Sequence, residues 1–310
     1  WVGSSQWATT QQIGGYMNKQ EAYKLYELPE EVTFPVAKKE IYFIDSDNKS
    51  EQEITVPNRY ALINDITKKP LSVVSNKYKI RPYQNLVHRV SDVIREAGMT
   101  HDITIKDWVH PKGTKFRRDV YFWKHGIPVK DHDKEKAIPH LRMYASYDST
   151  WAEQIIFGSV YVICMNGLVR PEWQFKVYNK HNSNKETEYT KDMFKDGLEA
   201  QKEVGAELFK LMQRKVTNAE VLYLFRTTIA KIQRNSLVSS HSDIAMRELG
   251  DLWDNYANSY GYTMFAVYQS ATHWSSHPIT KGNPQMVTRK REGQVIAMMN
   301  SRQWNEMIGG

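Results

Sequence analysis

Short apolar runs alternate with turn-forming clusters in the first part of the chain. Between positions 32 and 80, apolar residues recur with a period of two, and clusters rich in Asp, Asn, Ser and Pro separate them. A period of two places successive side chains on opposite faces of a strand, and the polar clusters favour turns. The pattern predicts an antiparallel meander with strands at 32–34, 41–44, 60–63 and 71–74.

The spacing then changes to that of a helix. Leu86, Val90 and Val93 lie on one face of a helix predicted for residues 85–97, and Gly98 is a typical C-terminal stop. Strands are predicted again at 103–109, 116–123, 141–147 and 155–165. The β-rich part of the chain therefore continues well beyond this helix.

Helices dominate after position 178. A polar linker precedes helices predicted at 191–214, 219–234, 242–273 and 291–303. Strands first and helices later indicate an α+β fold, in which an antiparallel sheet-rich N-terminal half packs with a helical C-terminal half. The predicted organisation is an N-terminal arm (1–30), a β-rich region (31–178) and a helical region that packs on the sheet (179–310).

Composition adds positive charge and many aromatic rings to this pattern. The chain has 42 Lys and Arg against 35 Asp and Glu, a net charge of +7. Such an excess favours polyanionic partners through steering and counterion release. The nine Trp and eighteen Tyr exceed the needs of a core of this size, and such rings are common contact residues at interfaces. Together they indicate an anionic partner.

Three further features limit the class of protein. The single cysteine, Cys164, excludes an intramolecular disulfide and a multi-cysteine zinc site, and it fits a reducing cytosol. No apolar run approaches the roughly 18 residues that span a membrane, so we expect no membrane partner. The chain begins at Trp1 without a leader pattern, which indicates a start that is missing or processed.

The familiar catalytic motifs are missing from the sequence. It has no phosphate-binding loop, no dinucleotide-binding glycine pattern, no nucleophile elbow and no His-Glu-x-x-His. Cys164 lies in an apolar run, which is typical of a buried thiol. His273 and His277 have helical spacing, but Pro278 follows at once, which favours packing at a helix end over a metal site. We therefore predict a protein that is not an enzyme and has no cofactor or metal; a metal-dependent nuclease is the enzymatic alternative.

One predicted strand interleaves basic and aromatic residues. Alternation places these side chains on one of its faces: Lys115, Arg117, Asp119, Tyr121 and Trp123. Arg118 lies on the other face. Cations that hold phosphates beside rings that stack on bases are typical of platforms for single-stranded nucleic acid. The alternative is that the rings pack within the sheet between solubilising charges.

Similar mixtures recur nearby. They lie at 77–83 and 140–144, and the hairpin loop before the basic strand adds further residues. If these strands are neighbours, they form a positive groove, and region 31–178 is the nucleic-acid-binding region. The predicted binding residues are Arg81, Trp108, Lys112, Lys115, Arg117, Arg118, Tyr121, Trp123, Arg142 and Tyr144. A further basic cluster at 288–291 is interpreted as a solvated helix start.

Several segments resemble one protein family. Segment 76–85 resembles its strand-to-helix element, Ser146-Tyr147-Asp148-Ser149-Thr150 a Ser-His-Asp-Gly-Ser turn, and 164–168 a Cys-x-Asn-x-Leu strand end. Segment 253–277 is similar to a helix with aromatic residues and a closing His. Together they look like the phage- and plasmid-encoded family called domain of unknown function nine-three-two. The resemblance covers about 55–280 and implies a bacteriophage or mobile-element context.

The order of elements also looks like the core of the Rad- and Red-type single-strand annealing proteins. That resemblance implies a groove between sheet and helices that holds single-stranded DNA, and assembly into homo-oligomers. Our leading hypothesis is a phage-encoded single-stranded DNA-binding or annealing protein, acting in viral replication or recombination in the cytoplasm of an infected bacterial host. The alternative is a virion structural or assembly protein that oligomerises through its aromatic surfaces and N-terminal arm.

Overall fold

The structure is a computed structural model that describes most of the chain. The described residues are 24–45, 52–129, 132–161, 166–167, 175–179, 181, 189–201, 203–232, 239–280 and 284–309. The strands are β1 (Val36–Asp45), β2 (Gln52–Asn64), β3 (Pro70–Ser75), β4 (Ile103–Val109), β5 (Lys115–Phe122), β6 (Ile127–Val129), β7 (His132–Ser146), β8 (Glu153–Tyr161), β9 (Asn166–Gly167) and β10 (Phe175–Asn179). Of the α-helices whose bounds lie in the described residues, one (Tyr83–Glu96) precedes the last strand and the others follow it.

The helices are α1 (Tyr83–Glu96), α2 (Lys191–Gln201), α3 (Val204–Gln213), α4 (Asn218–Leu224), α5 (Ser240–Tyr260), α6 (Met264–Ser276), α7 (Pro284–Met299) and α8 (Arg302–Gly309). Short 3-10 turns occupy Glu30–Val32 and Trp123–His125, and a π turn at Phe225–Ile229 continues α4. The predicted α+β class is therefore confirmed. In the described part of the chain, no helix is long and apolar enough to cross a membrane.

The strands form two antiparallel sheets. The small sheet has the order β1-β2-β3, and the large sheet has the order β10-β8-β7-β5-β4, with β6 and β9 paired to β7 and β8. Strand β5 therefore lies between β4 and β7, and every pairing in the large sheet is antiparallel. The basic-aromatic strands predicted from the sequence, β5 and β7, are direct neighbours.

One face of the large sheet is covered by α1 and the small sheet. The helix begins after Pro82 and ends before Gly98, whose φ of +73° suits glycine. Leu86 and Val90 are buried against Phe116, Val120 and other apolar residues of the sheet. The helical periodicity of the sequence is confirmed here because one apolar stripe has one apolar sheet face to cover.

The C-terminal helices build a second core. Trp253, Phe265 and Trp304 are buried there, together with the apolar faces of α3, α6 and α7. Trp253 donates its indole hydrogen to Asn218, which satisfies the polar end of a buried ring. This core lies beside the sheet and brings α7 over the second sheet face.

Some predicted elements differ from the structure at their ends. The predicted strand 32–34 is wrong, because Pro35 has no N–H to donate and pairing begins at Val36. The predicted helix 242–273 is two helices, since Gly261 has a φ of +72° and the Thr263 side chain caps α6. Both differences come from single residues that interrupt an otherwise regular pattern.

Two other predicted helices also differ. The helix predicted at 191–214 is divided into α2 and α3, and α3 carries Gly205 close to Pro128 of β6. The last predicted helix begins earlier than position 291, at Pro284, because proline fits the first turn of a helix. Most of the N-terminal arm, together with Cys164 and the linker at 182–188, lies outside the described residues.

Candidate nucleic-acid interface

Strand β5 is buried on both faces. Lys115 and Arg117 are each 8% exposed, and Arg118 is 1% exposed. Charged side chains are almost never this deeply buried unless they are paired. The structure therefore places the predicted phosphate-holding cations below the surface, in contact with carboxylates.

Arg118 lies on the α1 side of the sheet, away from the other candidates. It donates two hydrogen bonds to Asp107, at 2.7 and 2.6 Å, and one of 2.8 Å to the carbonyl oxygen of Leu25. It also donates to the carbonyl oxygen of Glu27. Arg118 therefore fixes the chain segment before the small sheet. The prediction that Arg118 is open to hold phosphates is wrong.

Arg81 also lies apart from the main cluster. Its guanidinium lies 3.7 Å from Glu153, which accepts a 2.8 Å bond from Arg89 and a 3.1 Å bond from Asn179. Nearby, Tyr78 and His181 stack with ring centroids 4.7 Å apart. This cluster joins the loop before α1 to the edge of the large sheet, and the predicted grouping of Arg81 with Arg117 is not observed.

The second face of the large sheet holds a charged network centred on Asp119. Arg117 donates to one carboxylate oxygen at 2.8 Å, and Arg142 donates to the other at 2.6 Å. His140 lies 3.3 Å from the same oxygen as Arg142. The period of two in β5 and β7 produces this grouping, because residues opposite each other in an antiparallel pair share a face.

The electrostatics of the network follow from this geometry. Burial by itself raises the pKa of Asp119, but the guanidinium groups of Arg117 and Arg142 outweigh it and hold the pKa well below its ordinary value. Burial lowers the pKa of His140, and its hydrogen bond to Asp119 offsets this only in part. At neutral pH the carboxylate is ionised and the imidazole is neutral.

Helix α7 contributes three side chains to the same face. Glu292 accepts a 2.6 Å hydrogen bond from Arg142, and Gln285 accepts one from Arg117. Arg289 lies over the rings of Tyr144 and Trp151, 4.9 and 5.1 Å from their centroids. Each contact is polar or cation–π, so α7 rests on charged groups of the sheet and not on an apolar patch.

Arg289 is the least neutralised of these cations. It has no carboxylate within ion-pair distance among the described residues, and its buried Nη1 atom has no hydrogen-bond partner there. A buried guanidinium nitrogen without an acceptor is costly. The prediction that 288–291 is a solvated helix start is therefore wrong for Arg289. It is wrong for Arg291 too, which pairs with Glu248 at 2.7 Å.

Aromatic rings lie between these charges. Tyr121 stacks on His140 with centroids 5.3 Å apart and lies 6.4 Å from Trp123. Trp151 lies 5.2 Å from Tyr144 and 5.9 Å from Trp108. The rings thus extend from the covered centre of the face to its edge at β4, where Trp108 and Trp123 are half-buried.

The turn after β7 supplies another ion pair. Asp148 pairs with Lys115 and accepts hydrogen bonds from the amide and hydroxyl of Thr150, at 3.1 and 2.6 Å. These donors hold the pKa of Asp148 below its ordinary value although burial opposes them. Ser149 at the corner has a φ of +62°. The turn therefore neutralises Lys115 and orders the residues before Trp151.

Exposed cations occur only at the rim of the face as far as it is described. Lys106 of β4 is exposed and lies 5.5 Å from the ring centroid of Tyr121. Lys112, in the β4–β5 loop, is also exposed. We name the whole surface the polar face; its members are Lys106, Trp108, Lys115, Arg117, Asp119, Tyr121, His140, Arg142, Tyr144 and Trp151, with Gln285, Arg289 and Glu292 of α7 against it.

Sequence reasoning missed several of these residues. Asp119 was placed on the correct face but without a role, and Trp151, Arg289 and Glu292 were not among the candidates. A signal existed for Asp119, because one carboxylate amid alternating cations indicates ion pairing. For Glu292 no local signal exists, since its partner is 150 positions away.

Comparison with known proteins gives a family. The family model described as Domain of unknown function (DUF932) matches residues 70–304. The chain belongs to this family. No curated protein and no solved structure matches the chain. The match to DUF932 begins at Pro70, the first residue of β3, and ends within α8, so every member of the polar face lies inside the family region of this chain.

The resemblance identified from motifs is thereby confirmed at the level of the family. The DUF932 match ends later than the resemblance suggested, at 304, and so includes all of α7. The Ser146–Thr150 turn of this DUF932 protein has a structural role, because its Asp148 forms an ion pair with the buried Lys115. In described residues, no group of three or more His, Cys, Asp or Glu side chains is arranged to hold a metal ion.

Proposed function

We propose that this DUF932 protein binds single-stranded DNA on the polar face and promotes strand annealing, without catalysis, in the replication or recombination of a phage or plasmid. The observation that carries the proposal is the interleaving of cations and rings on one sheet face. Arg117 and Arg142 alternate with Tyr121 and Tyr144 on two adjacent strands. The Arg289 guanidinium lies over the rings of Tyr144 and Trp151. Cations beside stackable rings are the recipe of single-strand platforms.

The accessible edge of the face supports an entry point. Lys106 and Lys112 are exposed, and Trp108 and Trp123 are half-buried beside them. Backbone phosphates would contact the lysines, and bases would stack on the indoles. No side chain in this group offers a fixed pattern for reading base edges, so binding would tolerate any sequence. Tolerance of this kind suits annealing, because base edges remain able to pair.

The buried arginines are unsuitable for a first mutational test. Reversing Arg117 or Arg118 would leave Asp119 or Asp107 facing a like charge inside the protein, and loss of binding would then report unfolding. The exposed rim offers a cleaner probe. Lys106→Glu combined with Lys112→Glu changes the charge of the entry point and leaves the buried network intact.

The control carries the same change of net charge elsewhere. Lys210 and Arg247 lie in exposed ion pairs of the helical half, with side chains 70% exposed. We expect Lys106→Glu/Lys112→Glu to weaken oligo-dT binding and to reduce the slope of log K against log salt by about 2, one for each phosphate contact. Lys210→Glu/Arg247→Glu should leave both nearly unchanged.

Binding is measured by quenching of Trp fluorescence with oligo-dT at low salt. The proposal is wrong if the wild-type protein shows no quenching or mobility shift at micromolar concentration. Binding on the polar face is contradicted if Lys106→Glu/Lys112→Glu and Lys210→Glu/Arg247→Glu weaken binding equally. The net charge of the protein would then explain both results.

A second candidate function is assembly of a virion or other homo-oligomer, and one observation favours it. Tyr42, Phe43 and Ile44 are 53%, 53% and 55% exposed, although neighbours in a strand normally point to opposite faces. Among the described residues, this part of β1 pairs with β2 alone and β3 pairs with β2 elsewhere, so nothing in that part of the chain covers either face of the hairpin. An apolar edge strand is typical of self-association.

Sedimentation velocity separates the two functions. A fixed oligomer that ignores DNA, and that Phe43→Lys dissociates, favours assembly. Oligomers that form only after oligo-dT is added favour annealing. A monomer under both conditions contradicts the assembly function and leaves DNA binding to be judged by fluorescence.

A further inference from the structure

Helix α7 has two halves with different surroundings. In its second half, Val295, Met298 and Met299 are buried in the helical core. In its first half only Thr288 is buried, and the contacts with the sheet are made by Gln285, Arg289 and Glu292. The second half is therefore held by apolar burial, whereas the first half contacts the sheet through polar and cation–π groups. Arg291 also joins the first half to the helical core through Glu248 and the carbonyl oxygen of Trp274.

The junction between the halves is Gly293, directly after Glu292. A Cβ atom at this position would meet nothing within 4 Å, so close packing does not require a glycine here. Glycine in a helix interior is less favourable than alanine, because it loses more backbone freedom when the helix forms. The helix is thus weakest at the point where apolar anchoring ends.

Glu292 supplies a negative charge that the sheet face lacks. Three guanidinium groups, those of Arg117, Arg142 and Arg289, lie at this face. Among the described residues, Asp119 is the one carboxylate that the sheet itself contributes to this group. Arg142 uses one nitrogen for Asp119 and another for Glu292. A phosphodiester oxygen carries the same charge as a carboxylate oxygen and accepts the same guanidinium hydrogen bonds.

We propose that Arg142 and Arg117 form a phosphate subsite for single-stranded nucleic acid, and that the first half of α7 is its displaceable cover, with Glu292 in the place of the phosphate. The inference rests on the proposed function. When the cover moves about Gly293, the ion pair between Arg291 and Glu248 opens, and Arg142 exchanges the Glu292 carboxylate for a backbone phosphate. The rings of Tyr144 and Trp151 lose Arg289 as a neighbour and become stacking surfaces for bases.

The cover changes affinity in a predictable direction. Closed and DNA-bound states compete, so a weaker contact between cover and sheet tightens binding. Glu292→Gln keeps the shape and removes the charge, and we expect oligo-dT to bind about 5- to 100-fold more tightly, the range of a typical coupling between sites. Gly293→Ala strengthens the continuous helix and should weaken binding about 2- to 5-fold.

The experiment measures fluorescence anisotropy of labelled oligo-dT with the full chain at one low salt concentration. The matched control is Glu306→Gln on α8, a glutamate with a side chain 60% exposed whose loss changes net charge equally. Glu292→Asp, which keeps the charge, should bind close to wild type. Circular dichroism melting establishes that each variant is folded.

Hydrogen–deuterium exchange gives a second readout that a general charge effect would not move. Addition of oligo-dT to the wild type should raise amide exchange in 284–292, and Glu292→Gln should raise it without DNA. Exchange in 294–299 should stay slow in both cases, because that half is anchored in the core.

The outcomes separate the cover from the function. If the wild type binds oligo-dT but Glu292→Gln and Glu306→Gln tighten binding equally, or neither does, the cover is wrong and the proposed function stands. If exchange in 284–292 falls on DNA binding, the cover is also wrong. If no variant binds, the proposed function fails and the phosphate subsite fails with it.

Discussion

Arg142 on β7 donates a 2.6 Å hydrogen bond to Glu292 on α7, 150 positions later in the chain. The same guanidinium group donates to Asp119 on the neighbouring strand at 2.6 Å. A single side chain thus joins two strands of the large sheet and a helix of the C-terminal core. The contact between sheet and helices in this DUF932 protein is electrostatic at its centre, with apolar cores on either side of it.

Loss of the central carboxylate should destabilise the fold. In Asp119→Asn, Arg117 and Arg142 remain buried without their shared counter-ion, so we expect unfolding free energy to fall by about 3–5 kcal/mol. Urea unfolding followed by circular dichroism measures the change. Asp65→Asn is the control, because its ion pair with Lys68 is exposed and such pairs contribute at most about 1 kcal/mol. Equal losses for the two variants would contradict the buried network.

Stability should fall in mild acid. Burial and the neighbouring His277 lower the pKa of His273 to about 4, and burial lowers that of His140. Both groups take up a proton more readily when unfolded, where the pKa is about 6.5. Their contribution is therefore complete above pH 6.5 or so and is lost as pH falls toward 4.

The urea midpoint as a function of pH measures this loss. His273→Asn keeps an acceptor near Tyr256, whose hydroxyl lies 2.8 Å from Nδ1 of the native imidazole, and it should flatten the profile between pH 4 and 6.5 or so. The exposed His101 provides the control as His101→Asn. A profile that His273→Asn leaves as steep as that of the wild type would rule out this assignment.

Two helix glycines should respond to alanine in opposite directions. A Cβ at Gly205 would lie 2.7 Å from the carbonyl oxygen of Pro128, so Gly205→Ala forces α3 away from β6 and should destabilise by about 1–3 kcal/mol. Nothing lies within 4 Å of a Cβ at Gly250, and Gly250→Ala should stabilise α5 by about 0.5–1 kcal/mol. Thermal unfolding decides the signs; two changes of the same sign would refute the close approach of α3 to β6.

Arg118 should prove structural. Arg118→Met removes the bonds to Asp107 and to the carbonyl oxygens of Leu25 and Glu27, at a cost of about 3–5 kcal/mol. The segment before the small sheet should then become sensitive to brief trypsin digestion. Arg302→Met removes an exposed pair with Glu306 and is the matched control. Unchanged digestion of Arg118→Met would contradict its anchoring role.

Local sequence patterns determined much of this architecture. The period of two assigned Lys115, Arg117, Asp119 and Tyr121 to one face, and the helical stripe around Leu86 identified α1. These features follow from residues within one element, because side-chain direction repeats with the geometry of the backbone. The break at Gly261 was missed, since a glycine in a helical pattern is tolerated or terminates the helix depending on its φ, here +72°.

What covers each face was decided only by the tertiary structure. A strand of alternating cations and rings has the same sequence whether it faces water or a helix, so the pattern around Arg117 left both arrangements open. The choice depended on Asp148, Glu292 and Arg289, which approach β5 and β7 from distant parts of the chain. Alternation along β5 and β7 thus determined which of their residues lie on the polar face. Long-range ion pairs determined that this face is buried, because such pairs depend on proximity in space and leave no periodic pattern in the sequence.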